Sequence, residues 1–456
     1  MGDSSAAVIS PHEEKQLGEA FMREVRRSLR LVSDPEVNDY AQNLGAKLTS
    51  HLNDNYLQYT FFVVENPVIN AFAAPGGYIG IHSGLITAAQ SEDELAAVVA
   101  HEIAHVSQRH LPRAIEEASK MSIPTTAALI AALVLGQGNS EITEAALATT
   151  LAGSQQARIN FTRGNEQEAD RIGMELLANA QFDPRGMPGF FERLQQAYRF
   201  YENNLPEFLS THPVTTSRIA DSRARAELFP APAPSGLTTF PFIQAKLRVL
   251  TQDSASSAVD YFAAGLNKGD AETRRVAHYG YALALTRAGD FAAARKHAGE
   301  LLKDDPERIT FVLAAAEVES ADRRFDTAIE MLEDALLLFP RHHALTMALG
   351  EAMINAGQQD KARRLLRNHV KEREQDPAVH KLYARAAGES GYPIDAHMAL
   401  AEQHYLEGEA TTALQQLKLA KDLVDKQSNK ERYFYELSRI EARMQQIKTE
   451  LAAQKK

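Results

Sequence analysis

Alanines at positions 294, 328 and 362 recur at intervals of 34 residues. Phe291 with Phe325 and Pro306 with Pro340 share the interval, and Gly289 and Gly357 stand two intervals apart. A single globular core has no use for a fixed spacing of this kind. A chain that repeats at such a length builds one supersecondary unit several times, and each unit buries its apolar face only by stacking on its neighbours. Small residues at one position let paired helices approach closely, while proline at another ends the second helix. The register weakens after Ala362 and returns faintly at Gly408 and Ala413.

This interval is that of tetratricopeptide (TPR) repeats, so residues 237–456 read as an all-α TPR solenoid. In front of it lies FPAPAPSG, residues 229–236, where three prolines alternate with small residues and favour an extended connector. Residues 1–230 then read as a separate α+β domain. Ser10-Pro11-His12-Glu13 has the form of a capping box with proline at the first helical position, and a second helix follows Asp34-Pro35. YTFFVVENPVINAFAAPGGYIGIHSG, residues 59–84, is rich in β-branched and aromatic residues and is broken at Asn66-Pro67 and Gly76-Gly77. It reads as two or three short antiparallel strands, with the two glycines at a turn. The small, apolar stretch 122–160 reads as a helix pair or a hairpin, and a further helix is expected from about Asn165 to Asn179.

Ser91 to Glu94 forms a second capping box, opening a helix that carries AAVVAHEIAHVSQRH, residues 96–110. Positions i and i+4 share a helix face, so His101 and His105 can present imidazoles to one ion, with Glu102 close beside them. Catalytic zinc needs that set: neutral nitrogen ligands, an open position for water and a carboxylate to take the water's proton. A third protein ligand is also needed. RGNEQEADRIG, residues 163–173, supplies Glu166 and Asp170 on one face of a second helix. Glu166 can complete the ligand set while Asp170 hydrogen-bonds a ligand histidine and orients its ring. Glu168 points elsewhere and reads as a solvated charge. The expectation is one zinc ion per chain.

Composition narrows the partners. The 456 residues carry a net charge of −11, which argues against nucleic acid and against a basic anchor on an anionic membrane. There is no cysteine, so neither disulfides nor thiolate metal sites are available. The longest apolar run, TTAALIAALVLG at 125–136, has twelve residues against the roughly 20 that span a bilayer, leaving at most a peripheral membrane contact. MGDSSAAVISPHEEK lacks the charged and apolar regions of a signal peptide.

HEIAH, followed some sixty residues later by NEQEAD, resembles the gluzincin metalloproteases that include the HtpX and CAAX-prenyl proteases. NAFAAPGGYIGIHSGL (70–85) is similar to the strand-and-turn segment before the zinc helix of that family, and THPVTTSRIAD (211–221) to its downstream segment. The resemblance implies an α+β zincin-like metalloprotease domain followed by the TPR solenoid, with His101, His105 and Glu166 as zinc ligands and Glu102 as general base. The attached repeats and the lack of spanning helices point to the periplasmic branch of the group in Gram-negative bacteria. That branch implies an endopeptidase and chaperone acting on misfolded or partly assembled outer-membrane β-barrel proteins, in company with the β-barrel assembly machinery. The removed signal peptide would follow from the same setting. An adaptor or chaperone with a silent metal site is the alternative, and retention of Glu102 speaks against it.

Four further expectations concern the cleft. His212, extended by the proline after it, either donates to the developing oxyanion or fills the open zinc position and holds the enzyme inactive. Arg218 is available to a carboxylate or to the reaction intermediate. Asn70, Ala71, Phe72 and Ala73 form an edge strand onto which an extended substrate can add. The segment 206–221, which carries His212, is read as a movable loop.

Overall fold

The computed structural model describes residues 10–52, 57–110, 126, 163–199, 207–232, 238–427 and 433–454. The stretches read above as a helix pair (122–160, apart from Thr126), as an apolar membrane contact (125–136) and, from 233 on, as the end of the connector lie outside these residues. The chain divides into two compact units, residues 1–32 with 40–236 and residues 33–39 with 237–456. Among the described residues no helix is long and apolar enough to cross a membrane.

In the first unit, α1 (Pro11–Ser28) starts at a complete capping box: the Ser10 hydroxyl accepts from the Glu13 amide, and the Glu13 carboxylate accepts from the Ser10 amide. Helix α2 (Pro35–Thr49), whose residues from Tyr40 on belong to this unit, begins after Asp34, whose carboxylate accepts from the Val37 amide at 3.0 Å. Three strands follow, β1 (Thr60–Val64), β2 (Ala71–Ala74) and β3 (Tyr78–His82), in the order β1-β3-β2. The β2–β3 pair is antiparallel, joined through Gly76 and Gly77, which have φ of 75° and 84° and so occupy the left-handed region that glycine tolerates. The β1–β3 pair is parallel, which corrects the expectation of an antiparallel set. A parallel neighbour cannot follow from a tight turn, because the chain must leave and re-enter the sheet in the same direction.

Phe72 on β2 packs edge-on against Phe21 of α1 and Phe62 of β1, so one face of the sheet is closed by α1. Helix α3 (Ser83–Ala88) leads to α4 (Glu92–Ser107), which packs against β2 and β3. Every residue of α4 from Glu94 to Val106 is buried. Ser91 caps it as expected through the Glu94 amide, but the Glu94 carboxylate accepts from the Gln90 amide and pairs with Arg193, so only half the second capping box forms. Helices α5 (Arg163–Asn179), α6 (Gly186–Arg199), α7 (Glu207–Thr211) and α8 (Thr216–Ala226) complete the unit, α5 lying along α4. Within the expected loop 206–221, residues 207–211 and 216–221 are helical, and 212–215 join the two helices.

The second unit is all helix, α9 (Phe240–Thr251) to α20 (Phe434–Gln454). The repeat is stronger in space than in sequence. Helices α12 (Phe291–Asp304), α14 (Phe325–Leu338), α16 (Gln359–Glu372) and α18 (Pro393–Leu406) each begin 34 residues after the last. Their partners α13 (Ile309–Ala321), α15 (His343–Asn355) and α17 (Pro377–Glu389) keep the same interval. Ala294, Ala328 and Ala362 are each fully buried where paired helices meet, and Ala396 continues the series at 8% exposure. The expected weakening after Ala362 is thus corrected: the register runs on through α18. The residue ending the first helix of each pair is left-handed at Gly289, Gly357 and Gly391, and at Arg323 where the same position lacks glycine.

Candidate metal centre

From Leu95 to Val106, helix α4 is apolar around its whole circumference except at His101, Glu102 and His105, which are 1%, 0% and 1% exposed. An ionisable group in such a place is costly unless something pairs with it. The facing partner is α5, brought close by Gly173: a Cβ there would lie 3.2 Å from the His101 amide nitrogen. Glu166 and Asp170, two turns and one turn before Gly173, consequently reach the histidines of α4.

The donor atoms converge. His101 Nε2 lies 3.0 Å from His105 Nε2 and 3.5 Å from Glu166 Oε2, and His105 Nε2 lies 3.3 Å from Glu166 Oε1. His212, delivered by the end of α7, places its Nδ1 3.0 Å from Glu166 Oε1 and 3.4 Å from His101 Nε2. Four ligands at about 2.0–2.1 Å from a tetrahedral zinc are about 3.3–3.4 Å apart, so these separations are those of a metal tetrahedron. His212 directly follows α7, and its amide donates to the Phe208 carbonyl at 2.8 Å. The Phe208 ring lies 5.0 Å from the imidazole and fixes its tilt.

Charge gives an independent test of fit. Glu102, Glu166 and Asp170 are all buried, and among the described residues Arg218 is the permanent cation buried with them. With the histidines neutral, as metal ligands must be, three carboxylates against one guanidinium leave two negative charges in an apolar interior, which a divalent cation would balance. The residues present therefore fit a metal ion.

Around the donors lies a ring of orienting contacts. Asp170 Oδ1 is 3.0 Å from His101 Nδ1, which leaves Nε2 toward the cluster. Arg218 had been offered to a carboxylate or to an intermediate. It holds two carboxylates, Asp170 through Nε and Nη2 at 2.8 and 2.7 Å and Glu166 through Nη1 at 2.7 Å, and is 2% exposed. Arg218 Nη1 also donates to the Pro213 carbonyl, at 2.9 Å, which ties α8 to the residue after His212.

His105 is oriented by residues the sequence reading did not select. Its Nδ1 lies 2.9 Å from Nδ1 of His110, a fully buried imidazole whose Nε2 is 3.2 Å from the Glu168 carboxylate. Glu168 is therefore no free solvated charge, although 39% of its side chain is exposed. The signal was present in the sequence as HVSQRH, but helix periodicity does not bring His110 beneath His105. Arg109, at φ 54°, turns the chain back to do so.

The protonation equilibria follow from this crowding. Burial lowers the His101 pKa, but contacts with Asp170 and Glu166 outweigh it and hold the imidazole up at about 9. For His105 burial dominates and its pKa falls well below the usual value. Burial raises Glu166, yet the neighbouring histidines bring it well below the carboxylate range. Glu102 is raised by burial, only partly opposed by His212, whose Nε2 lies 3.4 Å away, by His101 and by the Ala73 amide.

The pairing of β2 with β3 sets which of its backbone groups point outward. The His82 amide donates to the Asn70 carbonyl, so in the antiparallel β2–β3 pair the amides and carbonyls of Asn70, Phe72 and Ala74 face β3. Those of Ala71 and Ala73 face away from it, on the side of β2 that carries no strand among the described residues. The Asn70 and Phe72 side chains are buried, Phe72 in the core against α1.

Comparison with known proteins agrees with this architecture. The model of peptidase family M48 matches residues 35–226, and a tetratricopeptide repeat model matches residues 320–386. The beta-barrel assembly-enhancing protease of Yersinia pestis is 34% identical over 417 residues, covering 91% of this chain and 85% of its own. The putative beta-barrel assembly-enhancing protease of Vibrio cholerae is 40% identical over 324 residues, 70% of this chain and 66% of that one. The mitochondrial metalloendopeptidase OMA1 of Arabidopsis thaliana is 34% identical over 165 residues, 36% of this chain and 30% of its own.

Proposed function

The chain belongs to peptidase family M48, and from that premise we propose that it is a zinc endopeptidase of the periplasm. In this reading it cleaves and chaperones outer-membrane β-barrel proteins that are misfolded or stalled in assembly. The observation that carries the proposal is the set of four buried donor groups, 3.0–3.5 Å apart where they meet. The names of the two long relatives support the substrate class.

His101, His105 and Glu166 would hold the zinc, one ion per catalytic cluster. When bound there, zinc supplies Lewis acidity toward water and the scissile carbonyl. The rest is done by the chain. Glu102 takes the proton of the attacking water and returns it to the leaving amine, and burial raises its pKa toward the range suited to both transfers. Asp170, held in turn by Arg218, orients His101, while Glu168 and His110 do the same for His105. Ala71 and Ala73 offer outward backbone groups to an extended substrate, which gives affinity with little sequence preference. The TPR solenoid supplies the larger surface for unfolded or partly assembled clients and for the β-barrel assembly machinery.

His212 is the restraint. Its Nδ1 completes the donor tetrahedron, and its Nε2 lies 3.4 Å from the base, so with His212 in place neither water nor substrate has a free position. Activation then requires the α7–α8 segment to withdraw. The test is cleavage of an unfolded outer-membrane β-barrel protein by the wild type and by His212→Ala. Faster cleavage by the variant is expected. A loss of about 100-fold would assign His212 to oxyanion stabilisation instead, and no cleavage by either form would overturn the peptidase reading.

A further inference from the structure

Among the described residues, one other group brings three metal-ligating side chains together, and it lies in the solenoid. His278 stands on α11 (Ala271–Ala288), and His297 and Glu300 stand one turn apart on α12 (Phe291–Asp304). The two helices form the hairpin joined at Gly289. Across it, His278 Nδ1 lies 2.8 Å from His297 Nδ1 and 3.4 Å from Glu300 Oε2. His297 Nδ1 lies 4.0 Å from the same carboxylate oxygen. We propose that His278, His297 and Glu300 bind a divalent transition-metal ion, zinc being the natural occupant, which clasps α11 to α12.

Three features favour an ion over a simple hydrogen bond. A single shared proton accounts for the contact between the two imidazoles, but it gives no reason for the carboxylate to approach the same nitrogen. A cation accounts for all three approaches at once, and two imidazoles with a carboxylate suit zinc and its neighbours over magnesium or calcium. The rings are also held: the Tyr281 ring meets His297 edge-on with centroids 5.0 Å apart, so the donor is fixed before metal arrives. The imidazoles are 26% and 15% exposed and the carboxylate 44%, which leaves a side open for water to complete the coordination.

None of these residues belongs to the catalytic cluster, so the two sites are separable by experiment. The full-length chain is equilibrated with zinc, freed of loosely bound metal and analysed for zinc per chain, together with His297→Ala and Glu300→Gln. The wild type should carry one equivalent more than His297→Ala, and zinc should raise the unfolding midpoint of the wild type more than that of the variant. Proteolysis should be the same in both. Equal zinc in wild type and both variants would overturn the proposal. Should His297→Ala fail to fold by circular dichroism, Glu300→Gln decides: it changes one exposed oxygen and is expected to lose the extra equivalent.

Discussion

Substituting Arg323 by glycine should stabilise the repeat unit. The position is the end of a helix whose equivalents, one interval earlier and one and two intervals later, are Gly289, Gly357 and Gly391 with φ of 84°, 77° and 82°. Arg323 adopts the same left-handed conformation at φ 60°. A side chain there costs about 1–2 kcal/mol, because its Cβ crowds the following carbonyl. Glycine returns part of that through the greater freedom of its unfolded chain, about 0.5–1 kcal/mol. The net expectation for Arg323→Gly is a gain of about 0.5–1 kcal/mol, or about 1–4 °C in a unit of this size. The reverse change isolates the cause. A Cβ built at Gly357 meets no atom within 4 Å, so Gly357→Ala introduces backbone strain and no clash, and should cost about 1 kcal/mol. Thermal and urea unfolding of both variants measure the pair. Destabilisation by Arg323→Gly, or an unchanged midpoint for Gly357→Ala, would refute the reasoning.

His110→Ala should lower metal affinity about 10–100-fold, since His105 loses the group that orients it, and a competition titration against a chelator with known zinc affinity reads this without reference to activity. Acid should weaken both units. Burial brings His82 in the first unit and His343 in the second down to about 4. The unfolded chain takes up these protons near pH 6.5 and the folded chain only near 4, so stability is full above 6.5 and falls as the pH drops through that window, by about 1.4 kcal/mol per pH unit for each group. A flat unfolding midpoint from pH 7 to 4.5 would contradict this, and His343→Gln should lessen the slope.

The zinc helix was legible because its chemistry is local. His101 and His105, like Glu166 and Asp170, are four residues apart, and helical spacing alone puts each pair on one face. The strand-and-turn segment was equally plain from its β-branched residues and paired glycines. What stayed hidden depended on the path of the chain in space. Nothing between Val64 and Tyr78 says that β3 runs parallel to β1, and nothing periodic carries His110 back beneath His105. Glu168 looked solvated for the same reason. The α7–α8 segment read as a loop because Pro213 and a run of hydroxyl residues obscured the Thr215 cap that starts α8. The solenoid failed differently: Ala396 and Gly391 were on the interval all along, but Arg323 interrupts the glycine series and the surface residues between repeats diverge freely. Packing keeps an interval that composition lets drift.

The central claim is that one buried cluster holds zinc and uses Glu102 to activate water. Glu102→Gln keeps the volume of the side chain and removes its basicity, while the metal-holding groups His101, His105 and Glu166 stay in place. Zinc content and cleavage of an unfolded β-barrel substrate should be measured together for wild type, Glu102→Gln and Glu166→Ala. The account predicts that Glu102→Gln keeps the wild-type zinc content and loses cleavage by at least about 100-fold, whereas Glu166→Ala loses both the cluster's zinc and cleavage. Undiminished cleavage by Glu102→Gln, or full zinc occupancy in Glu166→Ala, would contradict it.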